Sequence, residues 1–326
     1  MDSLLGYAPA ENAVSRNAWW QSNDLGALTR APTPRERPEE TSRLLVFGES
    51  FAQGSRIRQE AAWPAVLDSA DSRLDVVNLA VDGYSMAQAL LRYRGVRKRL
   101  DHDIVLLMFA PSVDLWRDVN MLRSLRSWDG FPMAPRFVLE RGEIKLVRSL
   151  YPDRTVMVTR NQDGLSRKLK EHLRRYDSFY CAAAYADPPL VGSFVLYKIG
   201  AAAWCGLRLR RLKRKLLEVD GEAMQVALKI LEAMQDEVEA DGKTFILVVT
   251  PTHAVLHSIG KDSAFDGSWT RAVSAACESI EMCLDLTARL STLPADVLDA
   301  GHGGTHFGPK TNRVIAEAIH DFLQAP

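Results

Sequence analysis

Leu45-Val-Phe-Gly48-Glu49-Ser50-Phe-Ala-Gln-Gly54 is an apolar run that stops at a glycine and turns at once into a short polar segment. With Arg43 and Leu44 before it, the run reads as a buried parallel strand entering a loop. A strand covered on both faces is apolar throughout, whereas a half-exposed one alternates. Working outward, three further runs share this character: Leu74-Asp-Val-Val-Asn-Leu-Ala80, Asp103-Ile-Val-Leu-Leu-Met-Phe-Ala110 and Lys243-Thr-Phe-Ile-Leu-Val-Val-Thr250. Helical patterns lie between them, at about 85–100 and 221–239. Strands alternating with helices predict an α/β fold in which a parallel sheet is covered on both faces. In such sheets ligands gather beyond the carboxyl ends of the strands. Ser50, Asp82-Gly83, Ser112 and Asp114 all fall there.

Outside this frame the chain changes character. Residues 31–40, Ala-Pro-Thr-Pro-Arg-Glu-Arg-Pro-Glu-Glu, read as a linker, so 1–42 is expected to be a flexible tail and 43–326 a single domain. Trp19 and Trp20 are placed to pin that tail. The stretch from about 115 to 220 reads as an insertion or cap, with a hairpin at Arg141-Gly-Glu-Ile-Lys-Leu146 and one or two helices between Gly192 and Val219.

Lys plus Arg and Asp plus Glu number 41 each, so no global field draws the chain to nucleic acid or to an anionic membrane. Cys181, Cys205, Cys277 and Cys283 form no CxxC pair and have no zinc-like His spacing. They are expected as buried free thiols, with a Cys277–Cys283 bridge as the alternative. The N-terminus lacks the basic start and apolar core of a signal peptide, and the apolar stretch 190–206 is interrupted by Ser193, Lys198 and Gly200. The expectation is a cytoplasmic protein without a transmembrane segment.

The first block is a strand, a Gly-x-Ser turn and a second glycine. It continues into Trp63-Pro64-Ala65, and a second block reads Val77-Asn78-Leu-Ala-Val-Asp82-Gly83-Tyr84. Near the C-terminus come histidines followed by a helix. Taken in order over about 43–118 and 283–320, these blocks resemble the SGNH (GDSL-type) esterases and acyltransferases, as a divergent bacterial member with Glu49 where Asp is usual. The resemblance implies a three-layer α/β/α doubly wound, flavodoxin-like sheet, Ser50 as nucleophile, and an oxyanion hole that includes the Ser50 and Gly83 amides. It also implies an ester hydrolase or acyltransferase, acting on small acyl, chiefly acetyl, esters of a sugar or glycan. A Ser on the turn after a central strand presents its hydroxyl to the crevice, where a neutral His can take its proton.

Two registers compete for the base in Asp299-Ala-Gly-His302-Gly-Gly-Thr-His306-Phe-Gly-Pro-Lys-Thr-Asn312. Counting back from the last helix selects His306, whereas Asp299-x-x-His302 matches the literal motif of the family. His306 is preferred, because the helix fixes where that residue projects. Gly303 then stands where the family carries Asp, and Asp299 is the candidate to orient the histidine from a looped path. In the third block Val113 occupies the place of an oxyanion-binding Asn and offers no donor. Losing one such donor costs about 2.7 to 4 kcal/mol of transition-state stabilisation. Ser112 is the neighbouring candidate to compensate, and Asp114 follows as a site residue. Glu49 is expected to cap the next helix, and Thr252 and His253 to line the crevice edge, with His253 satisfied within its loop.

No metal or organic cofactor is implied. Leu207-Arg-Leu-Arg-Arg-Leu-Lys-Arg-Lys-Leu-Leu217 spaces leucines on one helical face and cations on the other, as a solvated cap helix or as a weak contact with an anionic membrane surface. Without interleaved aromatics it does not read as a nucleic-acid site. The rival to an enzyme is a degenerate member of the fold that binds a glycan or a protein partner.

Overall fold

The computed structural model describes residues 2–29, 32–122, 133–150, 166–185 and 195–325. Its strands are β1 (Ser42–Phe47), β2 (Leu74–Asn78), β3 (Ile104–Phe109), β4 (Arg136–Glu140), β5 (Glu143–Val147), β6 (Thr244–Val249) and β7 (Cys283–Asp285). Five of them form a parallel sheet in the order β2-β1-β3-β6-β7. This is the flavodoxin-like doubly wound order, whose strand direction of travel reverses between β1 and β3 and leaves a crevice beyond their carboxyl ends.

The uniform apolarity of the strands is explained by burial on both faces. In β1, Leu45 and Phe47 join one core cluster and Leu44 and Val46 the other, all fully buried. On the first face pack the helices Met86–Val96, Glu222–Ala240 and Ser263–Glu278, through residues such as Leu90, Ile230 and Val273. On the second pack Trp63–Ala70 and Pro309–Gln324, through Trp63, Leu67, Ile315 and Ile319. The three-layer α/β/α architecture follows. Each fully buried side chain of this size contributes about 1.5 to 3 kcal/mol relative to exposure.

The insertion contains the expected hairpin. β4 and β5 pair antiparallel, and Arg141 and Gly142 between them both take positive φ (56° and 88°), as a two-residue turn of matching twist requires. A helix over Arg167–Tyr176, not apparent in the sequence pattern, precedes a single long helix over Val195–Arg214. Residues 190–194 of the apolar stretch lie outside the described residues.

Residues 2–29 do not trail from the domain as a linker. Leu5 and Ala27 are buried in the first core cluster, Gln88 Nε2 donates to Leu5 O over 2.7 Å, and Tyr84 Oη donates to Tyr7 O over 2.6 Å. The Pro-rich stretch is held by Arg43, whose buried guanidinium donates to the carbonyls of Pro34, Arg35 and Glu36. The apolar residues of the tail decide its path, and the charged composition of 31–40 hides this.

The cysteines also correct the sequence reading: all four are paired, as Cys181–Cys205 and Cys277–Cys283. Such bridges persist in oxidising compartments, so the cysteines lend no support to a cytoplasmic location. Among the described residues no helix is long and apolar enough to cross a membrane.

Candidate active site

The site starts from the glycine that ends β1. Gly48 has φ 137°, and a Cβ there would come within 2.8 Å of the Met108 carbonyl on β3 and 2.7 Å of Ala52 Cβ. A side-chain-free residue lets the chain turn tightly against β3 and start the short helix Ser50–Gln53. Glu49 is its N-cap, with Oε1 accepting from Phe51 N over 2.9 Å. Ser50 is the first helical residue, so its N–H has no acceptor within the helix. The Trp63 indole then donates to Phe51 O over 3.1 Å and fixes the turn from below.

The histidine arrives from the other end of the chain. His306 Nε2 lies 2.8 Å from Ser50 Oγ. Its ring stacks on Phe51 with centroids 4.9 Å apart, and its Nδ1 lies 2.9 Å from Thr305 Oγ1. Asn312, 2% exposed, couples the two loops: its amide donates to Phe307 O and Gly308 O, while Oδ1 accepts from Trp63 N over 3.1 Å. Burial lowers the pKa of His306, so the imidazole is neutral near pH 7 and available as a base. His302, the alternative base, is exposed; its ring lies edge-on to Trp19 at 6.2 Å, and its backbone N–H donates to Arg56 O.

Asp299 does not orient the histidine. Its carboxylate accepts from Lys310 N (3.0 Å), Thr311 N (2.8 Å) and Thr311 Oγ1 (3.0 Å), capping the C-terminal helix. A Cβ on Gly308 would meet this carboxylate at 2.5 Å, so the glycine makes room for the cap. A carboxylate at a helix N-terminus is stabilised by unsatisfied N–H groups and the helix dipole. The orienting partners of His306 are therefore a neighbouring hydroxyl and an aromatic ring.

Behind the serine sits a buried carboxyl. The Ser50 hydroxyl shares a 2.5 Å hydrogen bond with Glu49 Oε2, and the same oxygen lies 3.5 Å from Arg117 Nη1. Burial raises the Glu49 pKa, and the Arg117 charge opposes that rise. When Glu49 is protonated it donates to Ser50 Oγ and leaves the serine proton for His306. When it is ionised, it competes with His306 for that proton. Arg117 Nη1 also donates to Tyr84 O over 3.0 Å, tying the Asp82-Gly83-Tyr84 turn to the serine turn. That turn is further held by Asp82 N donating to Gln53 Oε1 and by Tyr7 Oη donating to Asp82 O. Gly83 itself has φ 82°.

The third block divides. Val113 lines the cleft, as its position requires, and supplies no donor. Ser112 Oγ faces Thr252 Oγ1 at 3.5 Å rather than Ser50. Asp114 is 1% exposed, with its carboxylate accepting from Ala110 N over 2.8 Å. Burial, then the Glu49 charge, hold its pKa well above the usual range. It is a buried capping acid and does not face a substrate. Arg117, one helical turn after Val113 and so on the same face of the helix Pro111–Asp118, also lines the cleft. Sequence reasoning missed Arg117 and Phe51; the i, i+4 spacing from Val113 was the available signal for the first.

The cleft has a volume of about 770 Å³, and Ser50, Arg56, Asp82, Arg117, His253 and His306 are among its lining residues. His253 opens the helix His253–Ser258 and is satisfied by the C-terminal loop rather than by its own, Nε2–H donating to Asp299 O over 3.2 Å.

No family of known proteins matches the chain by sequence model, and no curated protein matches it. Among solved structures it is similar to a lipolytic protein of the G-D-S-L family from Desulfitobacterium hafniense DCB-2, described there as putative, at 12% identity, over 86% of this chain and 99% of that one, with a TM-score of 0.39. It is also similar to a psychrotrophic esterase from Pseudoalteromonas sp., at 10% identity, over 87% and 97% of the two chains, with a TM-score of 0.40. A third is an acetylxylan esterase from Geobacillus stearothermophilus, at 13% identity, over 87% and 95%, with a TM-score of 0.39.

Proposed function

We propose that the protein is a serine ester hydrolase or O-acyltransferase of the SGNH type, acting on small acyl, chiefly acetyl, esters of a sugar or glycan. The observation that carries this reading is the 2.8 Å contact between Ser50 Oγ and His306 Nε2, made across 256 positions of sequence. Nucleophile and base within hydrogen-bond reach, with the base held by further groups, is the geometry that activates a serine.

In the reaction Ser50 Oγ attacks the acyl carbonyl as its proton passes to His306 Nε2. The oxyanion forms beside the Ser50 and Gly83 amides. Collapse expels the alcohol, which takes the proton from His306 and leaves an acyl-serine. Water or a second alcohol, deprotonated by His306, then attacks that ester and frees Ser50. The choice between water and alcohol is the choice between hydrolysis and transfer. A cleft of about 770 Å³ suits a sugar bearing a short acyl group, with Arg56, Asp82, Thr252 and Thr305 available to hydroxyl groups and Phe51, Val113 and Leu298 to the acyl methyl.

Val113 favours the second reading, a binding protein with a weakened site, because the cleft lacks the donor expected there. Hydrolysis of 4-nitrophenyl acetate by the wild type and by Ser50→Ala separates the two.

A further inference from the structure

We propose that the outer face of the helix Val195–Arg214 docks the protein on an anionic lipid surface. Val195, Leu196, Ile199, Trp204 and Leu207 are 69, 82, 60, 64 and 63% exposed. They make up five of the seven large apolar side chains exposed among the described residues, so the exposure is concentrated on one element. Scattered exposed apolar residues need no explanation, whereas a contiguous group of them marks an interaction surface. The patch runs along about 20 Å of helix at 1.5 Å per residue.

The opposite face shows that this side is truly outward. Cys205 is buried and bridged to Cys181, and Leu209 and Leu212 pack against the main core. The Arg208 guanidinium donates to Tyr180 O and Ser178 O at 2.8 and 2.9 Å. The helix is thus pinned by its inner face, and the apolar side cannot turn inward without breaking those contacts.

Charge selects the occupant. Just beyond Leu207, Arg210, Arg211, Lys213 and Arg214 are exposed, and none has a carboxylate partner among the described residues. The neighbouring Lys215, by contrast, pairs with Glu218 at 3.5 Å. An apolar end followed by a collar of unpaired cations matches a bilayer whose acyl region accepts the first and whose anionic headgroups meet the second. The chain has no net charge, so the attraction is local to this helix. The surface is independent of the chemistry at Ser50 and stands or falls apart from it.

The test is flotation of the full chain with unilamellar vesicles of phosphatidylcholine, with and without phosphatidylglycerol. The expected result is binding to the anionic vesicles alone. It should fall at least about tenfold when Arg210, Arg211, Lys213 and Arg214 are changed to Gln, and likewise for Ile199→Glu with Trp204→Glu. These positions are exposed, and an unchanged thermal midpoint will show that the variants fold. Failure to float with either vesicle overturns the proposal, as does binding that both variants retain. A lipid-free dimer that Ile199→Glu with Trp204→Glu dissociates, together with no vesicle binding, would assign the patch to a second copy of the chain instead.

Discussion

Glu49 and Ser50, adjacent in sequence, are also joined through their side chains: a fully buried carboxyl oxygen lies 2.5 Å from the hydroxyl that His306 approaches from the other side. The serine proton therefore sits between two acceptors, and the protonation of Glu49 decides which receives it. Burial favours the neutral carboxyl, which donates to Ser50 Oγ and directs the serine proton to His306.

Glu49→Gln keeps a donor to Ser50 and an acceptor for Phe51 N. It is expected to retain kcat/KM within about tenfold of the wild type, since the hydrogen bond to Ser50 and the base at His306 both stay in place. Glu49→Ala removes both contacts, and is expected to lose about 1 kcal/mol of stability with the cap and considerably more activity than Gln. Steady-state kinetics with a thermal melt measures both. A Gln variant as inactive as Ala would show that the ionised carboxylate is required.

The pH profile follows from His306. Burial disfavours its charged form, so its pKa lies below the ordinary 6.5, with Asp82 pulling it back up. The base is active when neutral, so kcat/KM should rise with pH through an inflexion below 6.5, and fall again where Glu49 ionises and competes for the serine proton. Asp82→Asn removes the opposing charge and should move that inflexion lower still. An acid limb centred above 6.5, or one that Asp82→Asn moves upward, would contradict this assignment of the base.

Asp299→Ala separates capping from catalysis. With three hydrogen bonds to the start of the C-terminal helix lost, stability should fall by about 1 to 2 kcal/mol, while kcat/KM stays within about tenfold. Loss of an orienting carboxylate from a serine triad instead costs about 10⁴ in kcat. A fall of that size at unchanged stability would return Asp299 to the histidine.

These outcomes bear on what the sequence made legible. The sheet could be read because strands buried on both faces leave unbroken apolar runs, as Leu44 to Phe47 do. β7 could not, since three half-exposed residues carry no period. The meeting of Ser50 and His306 was legible because a Gly-x-Ser turn after a strand, and a His counted back from a helix start, each constrain where a side chain projects. Asp299 was misassigned because a short Asp-x-x-His spacing looks the same whether the carboxylate turns toward an imidazole or toward helix N–H groups. Phe51 was missed because its part depends on a contact with His306 that no local pattern encodes; for Arg117 the i, i+4 spacing from Val113 marks the shared face but not the contacts with Glu49 and Tyr84. The tail was misread because Leu5, Tyr7 and Ala27 are too sparse to register as core beside a Pro-rich, charged stretch. The Cys277–Cys283 bridge was open to the sequence as the alternative, because the two lie six positions apart; Cys181–Cys205 was not, since these meet through the packing of the insertion.

The central claim is that Ser50 is the nucleophile activated by His306. Hydrolysis of 4-nitrophenyl acetate by wild type and Ser50→Ala, at matched folded concentration, tests it most directly. The account predicts measurable turnover by the wild type and a loss of at least about a thousandfold in the variant. Equal rates in both, whether both active or both inert, would contradict it and bring forward the reading of the cleft as a binding site.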